Sequence, residues 1–581
     1  MRRVLLTLSA LSLFSQTPPH VPRAKEIVYP APSEVDTATG LRPHIERYQT
    51  DRAALSRYYP SDESPQRLKA LRTFNNAWLQ TLANLEFPKL THDAQVDHLL
   101  LNNIIRLDLR RLRQTEDRLN EVLPLLPFAP AIYELQDNRV RVEPPDSPKI
   151  AATLFRLEKE IAGLRKEIPS RKGTTKPATA NRAARLTRDL QQTLKDWNTF
   201  YNGYDPNFSW WTADPFAKLN KALDAYADDL REKLAGVAKE DKDSIVGDPI
   251  GDAALRDELK YEIVPYTPED LVKIAEKEFA WCDREMLKAS RELGFGDDWK
   301  KALEHVKTLY VPPGQQPTLI RDQVFEAINF LEKRDLLTIP QYTKDIWRMR
   351  MMTPAEQRVN PFFLGGEQII VSFPTAEMTH EAKMMSMRGN NIHFSRATVH
   401  HEVIPGHHLQ MYMTQRFRPY RRAFYTPFWI EGWALYWEMR LWDLNFPQTP
   451  ENRIGMLFWR MHRCARILFS LNFHLEKWTA KQCVDFLVDR VGHERENAAA
   501  EVRRSFEGNY PPLYQAAYML GGLQFRALHA ELVTTGKMTE KQFHDAILHN
   551  GSIPVELVRA TLIKQPLQPG FTSTWKFYGP L

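Results

Sequence analysis

The sequence predicts a large, mainly α-helical protein with two lobes and one small β element. Three observations predict it. Glycine is sparse, 24 of 581 residues, while strong helix formers are plentiful, which favours helices over turn-rich β architecture. Long stretches carry apolar residues at helical spacing. Only one short region reads convincingly as strand.

From the N-terminus, Met1-Arg2-Arg3 precedes an apolar run from Val4 to Phe14 and then SQTPPH. A basic start, a short apolar run and a polar continuation form a secretory signal peptide, assigned to residues 1–16. The run falls short of the about 20 residues that a bilayer-spanning helix needs. No later stretch is long and apolar enough either, so the mature chain is expected to lack a transmembrane span and to be periplasmic or secreted. Residues 17–43, rich in proline and polar side chains, form an extended lead-in.

Residues 44–244 read as an N-terminal helical region. LRTFNNAWLQTLANL (71–85) and HLLLNNIIRLDLRRLRQTEDRLNEVLPLL (98–126) carry apolar residues at helical spacing. Breaks are expected at Pro124, Pro127 and Pro130 and at PPDSP (144–148). LEKEIAGLRKEI (157–168) then meets PSRKGTTKPATAN (169–181), a solvated tip between two helices. Glycine, proline and aspartate punctuate VGDPIGDAALRDEL (246–259), which places a boundary near residue 245. Residues 245–581 form the second helical region. Its first long helix opens at Thr267-Pro268-Glu269-Asp270, where threonine caps, proline fits the first turn and the acids suit the positive end. The β signal is EQIIVSF (367–373), with NIHF (391–394) as its partner strand, each beside a Gly-Gly or Gly-Asn turn. Helices fill the rest to about residue 565.

Charge and cysteine content exclude several functions. The net charge is +6, and Arg2 and Arg3 account for two of it, too weak a field for nucleic acid or an anionic membrane. RFRPYRR (416–422) is basic and aromatic but short, a solvated helix end. Cys282, Cys464 and Cys483 are odd in number and widely spaced, so they make neither a disulfide framework nor a thiolate metal site. They read as buried thiols.

Chemistry concentrates in TVHHEVIPGHHLQ (398–410), which places four of the 17 histidines between positions 400 and 408. A helical zinc site usually takes histidines at i and i+4, with the glutamate after the first as general base. From His401 that partner position holds Pro405, and from His400 it holds Ile404. On a regular helix His407 lies about 240° round and about 9 Å along from His401, and His408 lies about 10 Å away. A regular helix therefore cannot build the site. Pro405 removes a backbone donor and clashes with the 401 carbonyl, and Gly406 frees the chain for a tight excursion. Such a break can carry the imidazole of His407, or of His408, to His401.

A third ligand is offered by FWIEGWALYWEMRLW (428–442), an aromatic helix bearing Glu431 and Glu438 on one face. A carboxylate among Phe428, Trp429, Trp433 and Trp437 needs a cation or a donor beside it. Glu431 suits a zinc ligand, and Glu438 suits an acceptor that orients a ligand histidine.

HHEVIPGHHLQ (400–410) followed by WIEGWALYWE (429–438) resembles the bacterial family known as domain of unknown function 885, whose members carry HExxPGHHLQ and then EGWALYxE. YTPEDLVKIAEKEF (266–279), NYPPLYQAAYMLGGLQF (509–525) and QFHDAILHNGSIPVELV (542–558) extend the likeness over most of residues 245–565. The family is regarded as a zinc metallopeptidase group whose third ligand is a glutamate. The resemblance implies a two-lobed helical metallopeptidase-like fold with a small β-hairpin or sheet beside the active-site helix. It implies His401, His407 and Glu431 as ligands of Zn2+ and Glu402 as catalytic base. Tyr518, in YQAAYMLG, would stabilise the tetrahedral intermediate. His474, in SLNFH (470–474), matches a family segment whose acid is replaced here, and would assist Tyr518. The expected function is hydrolysis of a peptide or small protein by a metal-activated water. The same residues also suit a metal-dependent hydrolase of a non-peptide amide or ester, or a non-catalytic helical protein with a structural metal.

Overall fold

The computed structural model describes residues 40–581 apart from 242, 243, 358, 359, 361, 508 and 509. The signal peptide and nearly all of the lead-in lie outside these residues. The described chain is mainly helical, with one two-stranded sheet. No described helix is long and apolar enough to cross a membrane. The three cysteines are free and buried.

Local sequence sets the helix ends. The hydroxyl of Thr267 accepts from the Asp270 amide at 3.2 Å while Asp270 accepts from the Thr267 amide at 3.2 Å, closing a capping box with Pro268 in the first turn. The helix His92–Val122 stops just before Pro124. The solvated tip is shorter than expected, because one helix runs on to Arg171 and the next begins at Pro177. Proline is tolerated in the last turn of the first and the first turn of the second.

Two hydrophobic cores result, and they do not divide at residue 245. The smaller gathers residues from Val122 to Ala235, built by the helices Ala129–Val140, Ser147–Arg171, Pro177–Tyr201 and Pro206–Asp229. The larger joins residues from Leu41 to Leu112 with residues from Leu255 to Phe577. Glycine and proline near 245 mark a turn of the chain, while the apolar faces decide which helices share a core.

The helix Pro427–Asp443, the glutamate helix below, runs through the middle of the larger core. Trp429, Trp433 and Trp437 are fully buried there. By area alone each indole contributes about 4–6 kcal/mol to burial. A helix with apolar side chains on nearly every side belongs inside a core.

The sheet differs from expectation. β1 (Arg348–Met351) pairs in parallel with β2 (Gln368–Val371), Arg348 opposite Gln368 and Met351 opposite Val371. The expected partner at 391–394 is instead the start of a helix, Ile392–Glu402. The side chain of Asn391 accepts from the amides of His393 and Phe394, each at 3.0 Å. That cap, invisible to a count of β-branched and aromatic residues, turns the segment into a helix.

Candidate metal centre

The helix Ile392–Glu402 ends where proline forces it to. Beyond Glu402 the chain turns sharply through a cis Ile404–Pro405 peptide, and the next helix is His407–Thr414. Inside the turn the Gly406 amide donates to the His400 carbonyl and the His408 amide to the Val403 carbonyl, each at 3.0 Å. A Cβ on Gly406 would stand 1.7 Å from the His401 carbonyl oxygen, so only glycine fits. The indole of Trp433 donates to the Pro405 carbonyl at 2.8 Å, tying the turn to the glutamate helix. The break needed to bring a second histidine to His401 is present, and His407 is the one delivered. His408 faces away, 2.8 Å from the Thr343 carbonyl.

Glycines also seat the third wall. A Cβ on Gly432 would meet the Gly521 Cα at 2.6 Å, and one on Gly521 would meet the Phe428 carbonyl at 2.0 Å. The glutamate helix and the helix Tyr514–His529 therefore touch backbone to backbone. That contact brings Tyr514 and Tyr518 beside Glu431 and His401.

At the centre, His401, His407 and Glu431 each offer one ligand atom, all within 4.8 Å of one another, and all three residues are buried. Glu431 Oε2 lies 3.4 Å from His401 Nε2 and 3.2 Å from His407 Nε2. Two ligands bound tetrahedrally at about 2.1 Å from one ion stand about 3.4 Å apart. Glu431 Oε2 is buried without an aligned hydrogen bond. Two imidazole nitrogens and a carboxylate oxygen suit zinc, and an orphaned carboxylate oxygen aimed at both rings is what such an ion would satisfy.

Each of these three side chains is held from behind. His401 Nδ1 is 2.7 Å from Glu438 Oε1, and His407 Nδ1 is 2.8 Å from the Gln410 side-chain amide. Both contacts turn Nε2 toward the cluster. The Tyr514 hydroxyl donates to Glu431 Oε1. Glu438 also accepts from Arg463 at 3.3 Å.

The electrostatics follow from burial and close acids. Burial opposes charge on His401, but Glu431 and Glu438 overcome it and push the imidazole up to about 9. Burial likewise opposes charge on Glu431 and Glu438, yet His407 and His401 hold the first well below the usual carboxylate range and Arg463 with His401 lowers the second. Glu402 is the exception: burial outweighs its neighbours and raises it. A carboxyl poised upward is suited to taking and returning a proton.

Glu402, the two histidines and Glu431 line a cavity of about 240 Å³, together with Tyr518 and Gly365. A Cβ on Gly365 would stand 2.2 Å from Glu402 Oε2, so backbone crosses directly over this carboxyl. Tyr510 lines both this cavity and a larger one of about 1130 Å³ beside residues 111–118 and 171–182.

The structure thus brings His401, Glu402, His407, Glu431 and Tyr518 together, the Tyr518 ring stacked 6.0 Å from that of His401. It does not bring His474 to them. His474 ends the helix Pro450–His474, packed against Phe473 and Phe506, and burial lowers it to about 4. Sequence reasoning missed Tyr514, Gln410 and three cavity arginines, Arg463, Arg466 and Arg504. Arg463 and Arg466 carried a readable signal: with Arg460 they form a row of arginines three apart in an otherwise largely apolar stretch of the helix.

Residues 52–562 match the family described as bacterial protein of unknown function (DUF885). The chain belongs to this family. Among curated proteins, none matches the chain. Among solved structures, a protein from Shewanella oneidensis described as "a putative lipoprotein of unknown function" aligns with a TM-score of 0.65 at 16% identity, over 89% of this chain and 98% of that one. Another, described as a "putative lipoprotein" from Colwellia psychrerythraea, aligns with a TM-score of 0.56 at 16% identity, over 90% of this chain and 97% of that one. At this identity the likeness is one of fold.

Proposed function

We propose that the chain is a zinc-dependent peptidase that hydrolyses peptide bonds with Glu402 as general base. The observation that carries this reading is the convergence of His401 Nε2, His407 Nε2 and Glu431 Oε2, with Glu431 Oε2 3.4 and 3.2 Å from the two nitrogens, in a cavity that Glu402 also lines. Zinc held by these three groups would supply an activated water and polarise the substrate carbonyl. Glu402 accepts the proton of the attacking water at its carboxylate and delivers it to the departing amine. Tyr518, which burial keeps protonated, donates from its hydroxyl to the charge that develops on the carbonyl oxygen. Glu438 and Gln410 hold the two imidazoles in register. The basic and apolar start at Met1–Phe14, and the description of both solved relatives as lipoproteins, support action outside the cytoplasm.

The test is metal analysis joined to a peptide-library digest of the wild type and Glu402→Gln. The wild type is expected to hold one zinc per chain and to cleave peptides in a chelator-sensitive way. The variant should keep the metal and lose at least about 100-fold in turnover. Normal cleavage by Glu402→Gln would remove glutamate from the mechanism.

A further inference from the structure

Three guanidinium groups line the same cavity as the histidines, and hydrolysis as proposed uses none of them. Arg463 and Arg466 are only 4% and 3% exposed. A buried guanidinium is normally matched by a carboxylate with every donor used. Here the matching is incomplete. Arg466 donates to Glu501 at 2.8 Å, and Arg504 reaches the other oxygen of that same carboxylate at 3.8 Å. Arg463 has Glu438, an acid it shares with His401. Three cations are therefore set against two carboxylates. Arg463 Nε, Arg466 Nη1 and Arg504 Nε are each buried with no hydrogen-bond partner among the described residues.

The other acids at the cavity do not close the gap. Glu431 belongs to the metal cluster, and Glu402 is engaged as the general base of the proposed hydrolysis. Tyr510 accepts from Arg504 at 3.2 Å but carries no charge to offset.

We propose that Arg463, Arg466 and Arg504 bind the free C-terminal carboxylate of a short peptide, so that the chain is a carboxypeptidase. The inference rests on the hydrolase reading and adds where cleavage falls. Guanidinium is the side-chain group best matched to a carboxylate, through paired donors. The spacing favours the main-chain carboxylate over one further away. Arg466 Cζ lies 4.3 Å and Arg463 Cζ 4.8 Å from the centre of the Tyr518 ring, on which His401 stacks at 6.0 Å. Arg463 and His401 also share Glu438 Oε1, at 3.3 and 2.7 Å, so arginines and metal ligands are near neighbours, and a terminal carboxylate belongs to the same residue as the nitrogen of the last peptide bond. The cavity of about 240 Å³ is also below the roughly 300–1,000 Å³ of sites for drug-sized ligands, which suits the end of a chain more than its middle. In the reaction the last C–N bond breaks, the water oxygen joins the carbonyl carbon, and its protons leave on the new amine and the new acid. The products are a free amino acid and a peptide shorter by one residue.

The experiment compares three N-acetylated tripeptides: a free acid, its C-terminal amide, and an amide ending in glutamate. Binding to zinc-loaded Glu402→Gln is measured by calorimetry, and cleavage by the wild type by chromatography. The free acid is expected to bind and to be cleaved about 10- to 100-fold better than the plain amide. Arg466→Met should bring the free acid down to the amide's level, with a melting curve to establish that the variant is folded. Should that variant fail to fold, the wild-type comparison of acid with amide decides alone. Equal handling of acid and amide overturns the proposal while leaving a peptidase in place. If the glutamate amide matches the free acid, the arginines read a side chain, and the terminal assignment falls. Selective binding of the free acid without any cleavage keeps the carboxylate site and removes the hydrolase reading.

Discussion

Glu438 Oε1 accepts from His401 Nδ1 at 2.7 Å and from Arg463 Nη2 at 3.3 Å, so one oxygen couples His401 to the arginine cluster. Removing its charge while keeping its shape should loosen the imidazole without opening a hole. Glu438→Gln is expected to weaken zinc binding about 10- to 100-fold, read by competition with a chelating dye. An unchanged affinity would mean that Arg463 and packing alone orient the ring. At this scale the sequence was informative where the chemistry is local. His401, Glu402 and His407 lie within seven positions, and the failure of regular helix spacing pointed to the break at Pro405-Gly406. Glu431 was legible because an acid among tryptophans needs a partner. Tyr514 and Arg504 were not, because they come from helices far along the chain and meet the site only through tertiary packing.

Among the elements, the contact between the glutamate helix and the helix Tyr514–His529 decides whether the site exists. Alanine normally favours a helix interior over glycine by about 1 kcal/mol. At Gly521 the added Cβ would stand 2.0 Å from the Phe428 carbonyl oxygen, and backbone on both sides leaves little room to yield. The clash should win. Gly521→Ala is expected to lower stability by about 1–3 kcal/mol, seen as a reduced urea midpoint, with zinc affinity falling alongside as Tyr514 leaves Glu431. A neutral or raised midpoint would show that the helices can part at no cost. Helices themselves were readable from periodicity and caps, as at Thr267. The strand expected at 391–394 was not one, because Asn391 caps a helix and capping acts on backbone amides that residue-type preferences do not record.

For the whole molecule, stability should depend on pH through a carboxyl far in sequence from the candidate metal centre. Glu262 is buried and takes a hydrogen bond from the Thr426 hydroxyl, which also caps the glutamate helix. Burial pushes it up to about 8 from 4.5. An acid whose folded pKa is raised carries stability that is fully present below its unfolded value and is lost as pH rises through the folded one. Melting temperature is therefore expected to fall between about pH 4.5 and pH 8, and Glu262→Gln should flatten that fall by up to a few kcal/mol. Parallel curves for the two proteins would show that folding does not raise this carboxyl. The division into cores was the least legible feature, because Gly and Pro near 245 advertise a turn, whereas core membership is set by which apolar faces meet.

That division orders events during synthesis. The residues from Val122 to Ala235 hold their own core and need no later residues to close it. Those from Leu41 to Leu112 complete theirs only with residues beyond Leu255. At ribosomal speeds of about 5–20 residues per second this first segment waits on the order of ten seconds or more with its apolar faces uncovered. This early stretch is thus among the last to be buried, and it is one a holding chaperone would have ample time to grip.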